Sequence, residues 1–387
     1  MMHVRLIASP ATAPLDTPVQ ITASGLPSAG LVTLQAQTRD RQGRLWDSAA
    51  QFRASQAGTL DLATTAPLSG SYHVADAAGP LWSLHPAFTS NPDTQFYFAG
   101  SGFTVRLQLL VNGQVRARAT LARVWSLNTT PAVQTVSRDG FASTLFTPNR
   151  ARPGAPAVVV ISGSAGGEDT FTAQSLAMAG YPALALAYFK EPGLPQCLCA
   201  IPLEYFARAV GWLRAQPVAR GRPAILYGVS RGAEGALIIA SYEPRLFDGV
   251  VASSPSSEIN GAYGGTPGPA WTFHGKALPT NTPIPVGQIR VPLLLADGGE
   301  DAIWDSALSA TIIMQELKAA DDRVPCINLY YPDAGHAFLG EPPYFPNSGY
   351  GHHGSLGGTE QANALAAEQS WAKMINFLNH PWGRATA

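Results

Sequence analysis

Lysine is nearly absent from this chain: only Lys190, Lys276, Lys318 and Lys373 stand among its 25 cationic residues. Charge of any kind is scarce, at 13% of residues, and the formal net charge is −1. With no basic stripe, a nucleic-acid partner is excluded as a leading expectation. No run approaches the roughly 18 uninterrupted apolar residues that a membrane span needs. Residues 1–10 lack a charged leader followed by a long apolar stretch, so no secretory signal is expected. Cysteine is limited to Cys197, Cys199 and Cys326, and the first two lack the two-residue spacing of a zinc or redox pair. The expectation is free thiols in a reducing, cytoplasmic setting. There is no His-Glu-x-x-His or other metal-ligand pattern, no P-loop ending and no dinucleotide glycine spacing. The expectation is an enzyme with neither metal nor cofactor.

What is present is a long, apolar chain: 387 residues, 46% of them hydrophobic, enough for more than one core. The pattern changes near residue 130. Before it, short alternating segments at residues 19–23, 31–37, 71–75 and 104–111 recur between turn signals, the last followed by Asn112-Gly113. Alternation of period two with Gly, Pro and Asn breaks predicts antiparallel strands in a sandwich. From about residue 150, apolar strands, glycine-rich loops and helical stretches alternate. Strands are expected at residues 157–161, 182–188, 224–228, 249–253, 292–296 and 327–331, with a helix beginning near Thr172. That alternation implies a mostly parallel sheet covered on both faces. Residues 137–146 read as a hairpin of this second part. A Pro- and Gly-rich stretch, residues 254–290, stands where a single crossover helix is usual and reads as an irregular cap over a site. The expected domains are 1–130 and 131–387.

The most informative pentapeptide is Gly228-Val229-Ser230-Arg231-Gly232, between an apolar strand and a helical run. A sharp strand-to-helix turn needs small residues on both sides, and it holds the serine out from the backbone as a nucleophile. In serine hydrolases of this design the acid follows in the chain and the histidine comes last. Asp297-Gly298-Gly299-Glu300-Asp301 follows one strand candidate and offers three carboxylates, of which Asp297 suits a turn cap and Glu300 a solvated position. Of eight histidines, only His336 lies just beyond a C-terminal strand and downstream of those carboxylates. His352 and His353 occupy a glycine-rich loop without further ligands. In this reading His336 takes the Ser230 proton as the hydroxyl attacks an acyl carbonyl. Two backbone donors would hold the oxyanion. One is the Arg231 N–H, and the other is the Ser164 N–H in the loop Ser162-Gly163-Ser164-Ala165-Gly166-Gly167.

Further segments, in order, resemble the family of acyl-CoA thioesterases that includes bile acid-CoA:amino acid N-acyltransferase. They are Gly70-Ser71-Tyr72 and Gly79-Pro80-Leu81-Trp82-Ser83-Leu84, then Leu184-Ala185-Leu186-Ala187-Tyr188 and Leu203-Glu204-Tyr205-Phe206. Glu300-Asp301 with Trp304, Gly335-His336, Glu341-Pro342-Pro343-Tyr344-Phe345-Pro346, Gly357-Gly358 and Trp371 complete them. The resemblance implies an N-terminal immunoglobulin-like β-sandwich followed by an α/β-hydrolase domain. It also places the acid at Asp301, with Glu300 as the alternative. The chain departs from the family pattern in two extra residues between His336 and Glu341, in Asn363 for a usual histidine, and in Arg231 for a usual apolar residue. Members that transfer acyl groups to amines resemble one another in using cysteine as the nucleophile, whereas the thioesterases use serine. Ser230 thus implies hydrolysis of an acyl-CoA thioester. A carboxylesterase or acyltransferase with the same triad, and an inactive binding protein, are the alternatives. The expected partner is a small acyl-CoA or acyl ester.

Overall fold

A computed structural model describes residues 3–88, 94–127, 130–138, 140–321, 323–336, 342–346 and 354–380. Glu341, His352 and His353, singled out above, lie outside them. The chain forms two compact units. One holds Met1–Thr129, Pro342–Ser355 and Thr359–Glu368, and the other Thr130–Glu341, Leu356–Gly358 and Gln369–Ala387.

The first unit is built from short strands: β1 (Arg5–Ser9), β2 (Thr12–Pro14), β3 (Gln20–Ser24), β4 (Leu31–Arg39), β5 (Leu45–Arg53), β6 (Leu60–Asp61), β7 (Ser69–Gly70), β8 (His85–Pro86), β9 (Gly102–Val111) and β10 (Gln114–Val124). They make a three-stranded sheet, β1-β3-β6, and a seven-stranded one ordered β2-β10-β9-β4-β5-β7, with β8 on β5. Along β4, β5 and β9 every second residue is buried, the signature of a sheet with one face on the core. Asn112 and Gly113, both at positive φ, close the β9–β10 hairpin. The strand expected at residues 71–75 does not form. The chain instead turns there into the short helix α1 (Gly79–Trp82), because Asp76 accepts from the Ala78 N–H and from Trp82 Nε1, each at 2.7 Å. Tyr72 packs edge-on against Trp82, ring centroids 5.6 Å apart, and a Cβ on Gly79 would lie 2.2 Å from its ring.

The second unit opens with the hairpin β11 (Ala132–Arg138) and β12 (Phe141–Thr147). There follow β13 (Ala157–Ile161), α2 (Thr170–Met178), β14 (Ala183–Ala187), the short β15 (Ile201–Pro202), α3 (Glu204–Ala215), β16 (Ala224–Val229), α4 (Arg231–Tyr242) and β17 (Gly249–Ser253). Four short strands, β18 (Glu258–Ile259), β19 (Trp271–Phe273), β20 (Lys276–Ala277) and β21 (Thr282–Pro283), precede β22 (Leu293–Gly298), α5 (Ser306–Ala320) and β23 (Cys326–Tyr331). A last helix, α6, spans Glu360–Leu378, its first residues, through Glu368, counted in the first unit and the rest in the second. The eight-stranded sheet runs β11-β12-β14-β13-β16-β17-β22-β23, antiparallel at its first two pairings and parallel from β14 onward. β13, β14 and β17 are buried at every residue, as strands covered on both faces must be. Among the described residues no helix is long and apolar enough to cross a membrane.

Two expectations change here. The stretch at 254–290 is not irregular. β19 pairs in parallel with β15, β18 pairs with β21, and Ile259, Ala270, Trp271, Leu278 and Ile284 join the main hydrophobic core. Nor are all the cysteines free: Cys197 and Cys199 form a disulfide, and Cys326 is the free thiol. Leu198 exchanges both backbone hydrogen bonds with Tyr263, so its neighbours have the two-residue spacing that points side chains to one side of a strand. Gly265 leaves room for the pair, since a Cβ there would lie 2.9 Å from Cys197 Sγ. The cytoplasmic expectation, which leaned on free thiols, loses that support.

Candidate active site

The parallel strands β16, β22 and β23 all end on one edge of the sheet, the edge where open α/β sheets carry ligands. Ser230 follows β16 and opens α4, and its φ of 57° and ψ of −121° make the turn sharper than a relaxed backbone allows. Two glycines permit it. A Cβ on Gly228 would stand 2.2 Å from Gly232 O, and one on Gly232 would stand 2.6 Å from Ser162 O. Strand, helix and the loop after β13 therefore approach to backbone contact around the serine. Ser230 is largely buried, with 9% of its surface exposed.

The two residues expected to donate to an oxyanion, Arg231 and Ser164, stand at the start of α4 and in the loop after β13. Arg231 is the first residue of α4, where N–H groups lack intrahelical acceptors. Opposite it, a Cβ on Gly163 would lie 3.1 Å from Ser230 Cβ, which sets Gly163 beside that serine. Lys190 Nζ donates to the carbonyls of Ser164 and Ala165 at 3.3 and 3.1 Å, fixing the far side of that loop.

Of the three competing carboxylates, the structure joins Asp301 to the histidine. Asp301 Oδ2 lies 2.8 Å from His336 Nδ1, and both side chains are almost completely buried, at 1% and 3% exposure. Its other oxygen, Oδ1, accepts from the Ile303 and Trp304 N–H groups at 2.9 and 3.2 Å. Burial by itself raises the Asp301 pKa, but the bond and charge of His336 with the Ile303 N–H outweigh it, so the carboxyl ionises below its ordinary value. An ionised Asp301 can only accept, so Nδ1 of His336 carries the proton and Nε2 is left basic. His336 Nε2 is buried and has no hydrogen-bond partner among the described residues; no hydrogen bond joins it to Ser230. Trp304 stands edge-on to the His336 ring at 5.2 Å. Glu300 is exposed.

The loops that carry Asp301 and His336 are braced together by glycines whose role was not visible in the sequence. Gly357, at φ 85°, pairs with Asp301 across an isolated bridge, and a Cβ on it would lie 2.1 Å from Glu300 O. The His336 N–H donates to Leu356 O at 2.9 Å, and a Cβ on Gly298 would stand 2.2 Å from Ala334 O. Residues 356–358 thus hold both loops in register.

Asp297 is not a turn cap. It belongs to β22 and is fully buried. Burial, opposed by a side-chain hydrogen bond from Asn328 and reinforced by the negative charges of Asp301 and Asp305, pushes its pKa from 3.8 up to about 7. A raised folded-state value means that the native protein binds this proton more tightly than the unfolded chain. The contribution is therefore present in full below 3.8 and lost as the pH rises to about 7. Asp297→Asn should become more stable relative to the wild type across that window, by up to about 1.4 kcal/mol per pH unit. Thermal melts between pH 4 and 8 check this, and a difference independent of pH would refute it. Among the described residues no cluster of three or more His, Cys, Asp or Glu is placed to hold a metal ion.

Residues 16–136 match the family region described as acyl-CoA thioester hydrolase/BAAT N-terminal region, and residues 272–383 match BAAT/acyl-CoA thioester hydrolase C terminal. Acyl-coenzyme A thioesterase 3 of Mus musculus is 31% identical over 95% of this chain and 92% of its own. Acyl-coenzyme A thioesterase 1 of Homo sapiens is 29% identical over 95% and 94%. Among solved structures, a Pyrobaculum calidifontis esterase superposes with a TM-score of 0.44 at 14% identity, covering 65% of this chain and 86% of that one.

Proposed function

Because the chain belongs to the acyl-CoA thioester hydrolase/BAAT family, and is a hydrolase, we propose that it cleaves an acyl-CoA thioester to a free acid and CoA through Ser230, His336 and Asp301. The observation that carries the reading is the buried Asp301–His336 pair, whose open Nε2 belongs to the same sheet edge as the strained Ser230 turn. Catalytic hydrogen bonds are often long before substrate binds, so a closing Ser230–His336 contact is expected in the substrate complex.

In the first half-reaction Ser230 Oγ attacks the thioester carbon while His336 Nε2 takes the hydroxyl proton. The carbonyl oxygen becomes an oxyanion held by the N–H groups of Arg231 and Ser164. The C–S bond then breaks, and the departing thiolate receives the proton from His336. Water attacks the acyl-serine ester in the second half, giving its proton to Nε2, and the C–O bond to Ser230 breaks as that proton returns to Oγ. Asp301 holds the imidazole in one tautomer and stabilises its cation. An oxygen ester reacts less readily with amines than a thioester does, so serine favours water as acceptor. Residues 131–387 form the catalytic domain in this reading. Residues 1–130, with their two sheets, form an immunoglobulin-like sandwich.

Thiol release measured over a panel of acyl-CoAs, beside nitrophenyl esters of the same acids, tests the assignment. Efficient release of CoA is expected. Ester cleavage without thioester cleavage would reject it.

A further inference from the structure

Behind the nucleophile lies a buried polar cluster that the triad does not use. Glu234, in the first turn of α4, is fully buried. Its Oε1 accepts from Trp271 Nε1 at 2.9 Å and from the Asn260 N–H at 3.0 Å; its Oε2 accepts from Asn260 Nδ2 at 3.0 Å. Arg231, 6% exposed, places Nε 3.1 Å from Glu234 Oε2 and donates through a terminal nitrogen to Gly261 O at 2.7 Å. Burial favours a neutral Glu234, and the surrounding Arg231, Trp271 and Asn260 oppose it. A cluster this dry costs free energy unless every member is satisfied, so its presence beside a reacting centre calls for a reason.

Trp271 connects the cluster to the other side of the site. Its ring stacks on Tyr188, with centroids 5.7 Å apart and planes at 17°. Tyr188 donates its hydroxyl to Ser162 O at 2.8 Å, and Ser162 Oγ closes the oxyanion loop onto Gly167 O at 2.9 Å. Gly235 lets the indole reach α4, since a Cβ there would lie 2.7 Å from it. One side chain of the 254–290 segment therefore touches both supports of the oxyanion site: Glu234 on the Arg231 side, Tyr188 on the Ser164 side.

We propose that Trp271 is a positioning residue that sets the relative placement of the two oxyanion donors, through its hydrogen bond to Glu234 and its stack on Tyr188. The proposal rests on the assignment of those donors to the Arg231 and Ser164 N–H groups. Preorganised donors act on the charge that develops in the transition state, so a small misplacement lowers turnover without weakening ground-state binding.

Trp271→Phe keeps an aromatic ring on Tyr188 and removes the N–H to Glu234 together with part of the indole packed against Gly235. Deleting an oxyanion donor outright costs about 10²- to 10³-fold, so an indirect loosening should cost about 10-fold in kcat. KM and the affinity for an unreactive thioether analogue of the acyl-CoA should stay within about two-fold, while a boronic acid that forms a tetrahedral adduct with serine loses affinity in step with kcat. Glu234→Gln, which preserves shape, is measured in parallel and should show the same split, so the test survives if either variant folds poorly. Unchanged kcat and boronate affinity would overturn the proposal, as would equal losses in thioether and boronate binding. The nitrophenyl ester arm yields the same comparison if the wild type leaves acyl-CoA untouched, so a wrong substrate class is distinguishable from a wrong role for Trp271.

Discussion

Ser230→Ala should release thiol from acyl-CoA about 10⁶-fold more slowly than the wild type, close to the loss seen when a triad serine is removed from other hydrolases. In the proposed mechanism the substitution deletes the atom that forms the acyl-enzyme. It leaves the backbone demand at position 230 unchanged, since serine and alanine both carry a Cβ at the φ of 57°. Gly228 and Gly232, which make the turn possible, are untouched. The melting temperature should therefore stay near that of the wild type while activity disappears. Undiminished thiol release from a folded variant would remove Ser230 from the chemistry.

Asp301→Asn should lower kcat by about 10⁴-fold with little change in KM, because an amide in that place can select the wrong histidine tautomer. The carboxylate accepts from Nδ1 and leaves Nε2 basic, whereas the amide can offer an N–H to Nδ1 and drive the proton to Nε2. The bonds from the Ile303 and Trp304 N–H groups to Oδ1 can be kept by the amide oxygen, which limits damage to the loop. Glu300→Gln is the companion measurement. Glu300 is exposed, and its backbone rather than its carboxylate braces the loop through Ala334 O and the Gly358 N–H. Its rate should match the wild type. A collapse of activity in Glu300→Gln with Asp301→Asn unaffected would exchange the two assignments.

The sharp turn at Ser230 was legible because its requirements are local. Only small residues fit beside a strand and helix in backbone contact, and Gly228 and Gly232 announce that spacing directly. Which carboxylate meets His336 was not a local question. Asp297, Glu300 and Asp301 crowd one short stretch, and strand periodicity does not say where β22 ends. The strand runs through Gly298 because a residue without Cβ is needed against Ala334 O, and this carries Asp297 into the core. Contacts between distant segments were equally invisible. β15 and β19 are too short to show a period, yet their pairing gives residues 254–290 an ordered frame. The same is true of the Cys197–Cys199 bond, whose geometry follows from Leu198 pairing with Tyr263. In the first unit, alternation along β5 is diluted by the small residues Ser48 and Ala50 on its buried side, and β10 buries little of its length.

Acid-quenching the enzyme during turnover of an acyl-CoA, followed by mass analysis of its peptides, tests the central claim most directly. The expected result is one acyl group on the peptide containing Ser230, with one equivalent of free CoA thiol released for each group attached. An acyl group on a different residue, or thiol release with Ser230 never acylated, would contradict it.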